Sequence, residues 1–215
     1  MKDEYITFAN PGSGEITIQK SRFIGYGWPC ASEEAALDHI REMRELYRDA
    51  RHHCYAYIIG TNAGVIRYSD DGEPSGTAGL PMLNLLRSEG LVNCCVVVIR
   101  YFGGILLGTG GLARAYSSAC RIAMEKAGIV QMQKTCTFLC EVPYAAWDAV
   151  RYHLEKLPVI CRNPEFQTAV SFMLSIRSKD CEFVLDKLNQ ASNRTFEYLL
   201  AEEGFFPWKV SSETE

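Results

Sequence analysis

Gly103, Gly104, Gly108, Gly110 and Gly111 fall within nine residues, after an apolar run and before a helical pattern. Glycine is needed where the backbone takes positive φ or lets a ligand approach closely. A helix N-terminus behind such a loop presents free N–H groups and partial positive charge. With Thr109 in the same loop, this is a candidate phosphate cradle. The spacing matches neither a P-loop nor the dinucleotide fingerprint, since no Gly-Lys-Ser/Thr follows. A tight connection under close packing is the competing explanation. Arg100 and Arg114 flank the loop, beside Tyr101 and Phe102. A guanidinium next to aromatic rings and free amides suits a phosphate with a stacked base. In the plainer alternative, Arg100 pairs with a carboxylate and the aromatics belong to the core.

Asp70-Asp71-Gly72-Glu73 places three carboxylates in four residues, a candidate oxygen-ligand site for Mg²⁺ without EF-hand spacing. It also reads as an Asx-turn or a helix cap. In Arg51-His52-His53-Cys54-Tyr55-Ala56-Tyr57, strand alternation sends His52 and Cys54 to one face and His53, Tyr55 and Tyr57 to the other. The two histidines therefore do not share one ion. Cys136 and Cys140 on one strand would stand ~13 Å apart, too far for a common zinc, so no metal site is assigned. An open sheet face carrying His53, Tyr55 and Tyr57 could stack bases; equally, these side chains could cover a sheet face against the second domain. No serine or threonine stands in a nucleophile elbow; Ser75 and Thr77 read as helix caps.

The elements that must position these groups follow from periodicity and punctuation. Glu15–Gln19 and Arg22–Trp28 read as strands. Ser32 caps a helix to Tyr47 whose core stripe is Ala36, Ile40, Met43 and Tyr47. His52–Ile59 and Val65–Tyr68 form a hairpin around Asn62-Ala63-Gly64. A loop over 69–79 precedes a helix to Glu89, with Pro81 in its first turn. Cys94–Tyr101 reads as a buried strand, Phe102–Gly111 as loop, and Leu112–Lys126 as a helix ended by Gly128. The rest reads strand 135–142, helix 144–156, strands 158–163 and 167–176, helix 179–192, strand 195–205, the ferredoxin-like β-α-β-β-α-β order. A boundary near Gly128–Gln133 gives domains 1–130 and 131–215. Ser211–Glu215 read as frayed.

Formal net charge is −4: residues 1–130 carry 13 basic against 14 acidic groups, and residues 131–215 carry 9 against 12. Neither half has the basic excess of a general nucleic-acid binder, so RNA contact needs a local patch. Nine cysteines without a regular ladder argue for reduced thiols packed as small hydrophobes rather than a secreted disulfide framework. The N-terminus lacks an apolar signal core, and no apolar run approaches a membrane span, so a cytoplasmic location is expected.

Lys20–Gly25, Asp49–Tyr57, Arg67–Gly79, Arg100–Gly104 and Leu107–Leu112, in that order, resemble the IMPACT family in its bacterial YigZ-type branch. The resemblance implies an α+β chain with a ribosomal protein S5 domain 2-like first domain. It also implies a ferredoxin-like second domain similar to the last domain of elongation factor G, and a link to control of translation. Leu80 stands where many family members have a basic residue. Two functions remain open. One is a non-catalytic protein binding RNA or a ribosomal component through His53, Tyr55, Arg100, Arg114 and the glycine loop, with Arg51, His52, Asp70, Asp71, Glu73, Ser75 and Thr77 as further candidate surface residues and Arg100→Ala weakening binding without harming the fold. The other is an enzyme acting on a phosphorylated small molecule or nucleotide: loop 103–111 holds phosphate, the acidic turn holds Mg²⁺, and His52 or His53 acts as acid or base. Both require 51–57, 67–79 and 100–114 to line one concavity.

Overall fold

The computed structural model describes residues 3–208; the expected fraying of Ser211–Glu215 lies outside them. It is a mixed α+β structure with antiparallel sheets. The chain divides into two units at Met132/Gln133, with Pro207 and Trp208 grouped with the first. β7 (Ile129–Val142) runs straight through the division. Gly128 ends the preceding helix and the strand begins at the next residue.

The first unit is built on a five-stranded sheet in the order β2 (Gly12–Ile18), β3 (Ser21–Pro29), β6 (Cys94–Tyr101), β4 (His52–Ile59), β5 (Val65–Ser69). The central strand β6 is apolar throughout because both its faces are covered. Cys94, Val96 and Val98 meet α2 (Gly79–Ser88) and α3 (Gly108–Ala127), along with Phe23, Cys54, Ala56 and Ile58 from neighbouring strands. On the opposite face, Cys95, Val97 and Ile99 meet Ala36, Ile40 and Met43 of α1 (Glu33–Leu46), with Tyr57 and Ile59. Ser32 caps α1, accepting from the Ala35 N–H.

Of the two alternatives for the face of His53, Tyr55 and Tyr57, open or covered, the structure has the covered one, and α1 is the cover. His53 and Tyr57 are buried, and Tyr55 is half-buried. α3 also starts four residues earlier than its apolar pattern suggested. Gly108 opens it with φ +67°, so residues 108–111 form a first helical turn rather than loop. β1 (Glu4–Phe8) was not legible in the sequence. It pairs with β7, and Ile6 O accepts from Val92 N while Thr7 Oγ1 donates to Asn93 O.

The second unit continues β7 with α4 (Tyr144–Leu154), β8 (Val159–Phe166), β9 (Val170–Arg177), α5 (Cys181–Ala191) and β10 (Glu197–Trp208). β9 lies between β7 and β8, antiparallel to both, and β10 pairs with β7. Phe138, Val142, Phe172, Leu174 and Ile176 form its core against Val150, Leu154, Val184 and Leu188. Among the described residues no helix is long and apolar enough to cross a membrane.

Candidate functional site

Sheet register alone brings three chemistry-bearing side chains together. Arg100 stands opposite Phe23 on β3 and opposite His52 on β4. All three belong to the α2/α3 face, at the end of the sheet where α3 begins. The loop after β5 folds over this row and supplies Glu73 and Pro74. A cleft of about 390 Å³ results, within the usual range for small-molecule sites. Its polar wall is Arg51, His52, Glu73, Arg100 and Thr109; its apolar wall includes Pro74, Phe102, Leu106, Leu107 and Leu112, with Gly108 at the helix entrance. The three expected segments thus meet in one concavity. Phe102 and Leu106 are exposed at it, Leu106 at 85%.

Arg100 is part of this wall but is not a free cation. It is 5% exposed. Nη1 donates to Glu73 Oε1 at 2.7 Å, and Nη2 lies 3.4 Å from Ser21 Oγ. The guanidinium carbon sits 5.4 Å from the Phe23 ring centroid and 5.5 Å from that of Phe102. Among the described residues its Nε finds no acceptor. Tyr116 of α3 donates to the same Glu73 oxygen at 2.8 Å. Burial, reinforced by Cys54 and the Glu73 carboxylate, pushes this phenol up and keeps it a neutral donor. The competing explanation from sequence, an arginine paired with a carboxylate, describes Arg100. Removing it would leave a buried charge, so Arg100→Ala is not the fold-neutral probe expected above.

The acidic turn separates by role. Asp70 accepts from Gly76 N at 2.8 Å, Ala78 N at 3.0 Å and Gly79 N at 2.9 Å, and so supplies the anion at the start of α2. Neither Ser75 nor Thr77 caps that helix: Ser75 is exposed, and Thr77 Oγ1 donates to Pro74 O within the loop. Asp71, at φ +42°, accepts from His53 N at 2.6 Å and from Arg44 at 3.0 Å. Glu73 faces Arg100. The three carboxylates therefore point to different partners, and among the described residues no group of three His, Cys, Asp or Glu could hold a metal ion.

The two histidines also differ. His53 is buried, its Nε2 3.1 Å from Tyr47 O, and burial lowers its pKa. It lies outside the cleft. His52 lines the cleft, with Nδ1 2.8 Å from the carbonyl oxygen of Asp71. A carbonyl only accepts, so Nδ1 carries a proton and donates here, and Nε2 is the other ring nitrogen left for a ligand.

Of the glycines, Gly103 is a packing requirement. A Cβ there would stand 2.0 Å from the Lys20 carbonyl carbon, and its N–H donates to Ser21 Oγ. Gly104 turns the loop at φ +85°. Gly108, Thr109 and Gly110 are exposed in the first turn of a 20-residue helix that has no side-chain cap and no acidic residue there. The first N–H groups of a helix have no partner within the helix, and no side chain caps them here. Gly111 follows in the same turn, and Arg114 is exposed outside the cleft lining. Tyr55 stacks on Tyr57 and also lies outside it.

Fold and site together define an α+β protein of two units whose first unit carries a cleft at the entrance of its longest helix. The sequence model of the Impact N-terminal domain matches residues 19–124, the stretch that contains every cleft residue. The chain belongs to the IMPACT family, in the bacterial branch that includes YigZ. It is 33% identical to IMPACT family member YvyE of Bacillus subtilis, over 90% of this chain and 89% of that one. It is 35% identical to an IMPACT family member of Haemophilus influenzae, covering 94% and 98%, and 32% identical to YigZ of Escherichia coli, covering 86% and 92%. A solved structure of a protein described as hypothetical aligns over 94% of this chain and 99% of its own, with TM-score 0.61 and 30% identity.

Proposed function

We propose that this protein is a translation-linked binding protein, and that its cleft receives one unpaired nucleotide of an RNA or ribosomal component. The observation that carries this reading is the meeting, in one cleft, of an exposed aromatic ring, a cation and uncapped helix amides. Phe102 offers a face for base stacking. Thr109, Gly110 and Arg51 offer donors to the attached phosphate. The units fit the S5 domain 2-like and ferredoxin-like folds implied by family membership; the strand order of the second, β8-β9-β7-β10, supports that assignment.

Because the basic groups are few, binding should depend weakly on salt. One or two neutralised phosphates give a slope of log affinity against log salt of about −1 for a single strand. The test is fluorescence anisotropy with a labelled single-stranded oligoribonucleotide. Phe102→Ala should weaken binding by roughly 5- to 150-fold, the equivalent of ~1–3 kcal/mol of stacking. Arg162→Ala, exposed in the second unit, should leave it unchanged. Equal binding by Phe102→Ala and the parent, or a salt slope near −6, refutes the reading.

One observation favours a second reading, an enzyme acting on a phosphorylated small molecule or nucleotide. His52 is held with Nε2 free to exchange a proton beside the α3 entrance. A divalent ion would then arrive with the ligand's phosphate rather than sit on three carboxylates. Turnover of a nucleotide that His52→Gln abolishes, with RNA affinity untouched, would put this reading first.

A further inference from the structure

The cysteines divide by accessibility. Cys30, Cys54, Cys94, Cys95, Cys120 and Cys140 are buried; Cys161 is exposed; Cys136 and Cys181 are half-buried. Cys136 on β7 stands opposite Ile176 on β9, and its Sγ lies 3.5 Å from Ser178 Oγ. Cys181, which opens α5, has its Sγ 3.5 Å from Arg177 O and 3.9 Å from Ile176 O. Both sulfurs thus gather on the same three-residue turn, 176–178. Cys30 and Cys95 share one buried cluster, but at 2% and 0% exposure they are out of an oxidant's reach.

We infer that Cys136 and Cys181 form a thiol–disulfide site in the second unit, closed by low-molecular-weight disulfides. Cys136 is the entry thiol. Its thiolate attacks one sulfur of the oxidant RSSR, forming Cys136–S–SR and releasing RS⁻. Cys181 then attacks the Cys136 sulfur, forming the protein disulfide and releasing a second RS⁻. The two thiol protons end on the two RSH products, so the protein loses two hydrogens and the oxidant gains them. Cys181 suits the second position, since its S–H is engaged by the Arg177 and Ile176 carbonyls, whereas Cys136 faces the Ser178 hydroxyl. The bond would tie β7 to the start of α5 and close the long loop between them, restricting the unfolded chain. Oxidation of this pair is independent of whatever occupies the cleft.

The experiment is incubation of the full chain with oxidised glutathione, followed by alkylation, proteolysis and non-reducing mass spectrometry. The expected product is a linked pair of peptides containing Cys136 and Cys181, two hydrogens lighter than the reduced pair, and a higher thermal midpoint that reverts with dithiothreitol. In Cys136→Ser the linked product and the shift should both vanish, and Cys161 should still take up glutathione as an accessibility control. The inference is overturned if Cys136 and Cys181 are recovered separately, alkylated or glutathionylated, while Cys161 reacts. Linkage of either cysteine to a different partner overturns it equally.

Discussion

Removing the Arg100 guanidinium strands the Glu73 carboxylate in the interior. The two side chains are 6% and 4% exposed and meet at 2.7 Å. Breaking a buried pair from one side costs about 3–5 kcal/mol, because an uncompensated charge remains out of water. Against a typical total of ~5–15 kcal/mol, Arg100→Met should remove a large part of the first unit's stability. The internal comparison is Arg22–Glu15 on the same sheet, with side chains 50% and 55% exposed. Arg22→Ala should cost ~0–1 kcal/mol. Glu73→Gln keeps an acceptor for Tyr116 while removing the negative charge. The double change Arg100→Met with Glu73→Gln should therefore be milder than Arg100→Met alone. Urea denaturation followed by circular dichroism measures all four variants. If Arg100→Met and Arg22→Ala have equal midpoints, or the double change equals the sum of the singles, the buried pair is not what holds this corner of the cleft.

Asp70→Ala removes the acceptor of three backbone N–H groups and should cost about 2 kcal/mol, at the upper end for a helix cap; Ser75→Ala should stay within ~0.5 kcal/mol, both by urea midpoint. The folded state holds the pKa of His53 below the ordinary value through burial, so the unfolded chain binds its proton first as pH falls. Stability present above about pH 6.5 should be lost progressively below it, and His53→Gln should flatten that decline in denaturation curves from pH 7.5 to 5.5. Gly103→Ala forces its Cβ into the Lys20–Ser21 backbone and should lower the thermal midpoint. Gly110→Ala, with nothing within 4 Å of the new carbon, should raise stability by ~0.5–1 kcal/mol.

What was legible in the sequence was local. Alternation assigned His52 and Cys54 to one face and His53, Tyr55 and Tyr57 to the other, and the clusters place Cys54 and Tyr57 on opposite faces of the sheet. The three segments that line the cleft were identifiable because glycines, acids and arginines crowd them. What escaped depends on distant partners. Glu73 looks like a loop carboxylate until register brings Arg100 over it, 27 residues away. Asp70 looks like a metal ligand until the chain turns back and points three amides at it. The face of His53 looks open unless α1 is known to cross it. β1 is five residues whose partners come from the far end of the first unit, so no nearby turn announced it. The start of α3 was misplaced because Gly108, Gly110 and Gly111 have low helix propensity, and tertiary position fixes them as helix.

The most direct measurement is a titration of isotope-labelled protein with a short single-stranded RNA, followed by backbone amide shifts. A nucleotide seated in the cleft moves the amides of Arg51, His52 and Phe102 and those from Leu106 to Leu112, and leaves the α1 face at Tyr55 and Tyr57 still. Shifts confined to the α1 face or the second unit, or none at saturating RNA, would contradict the assignment of this cleft as the binding site.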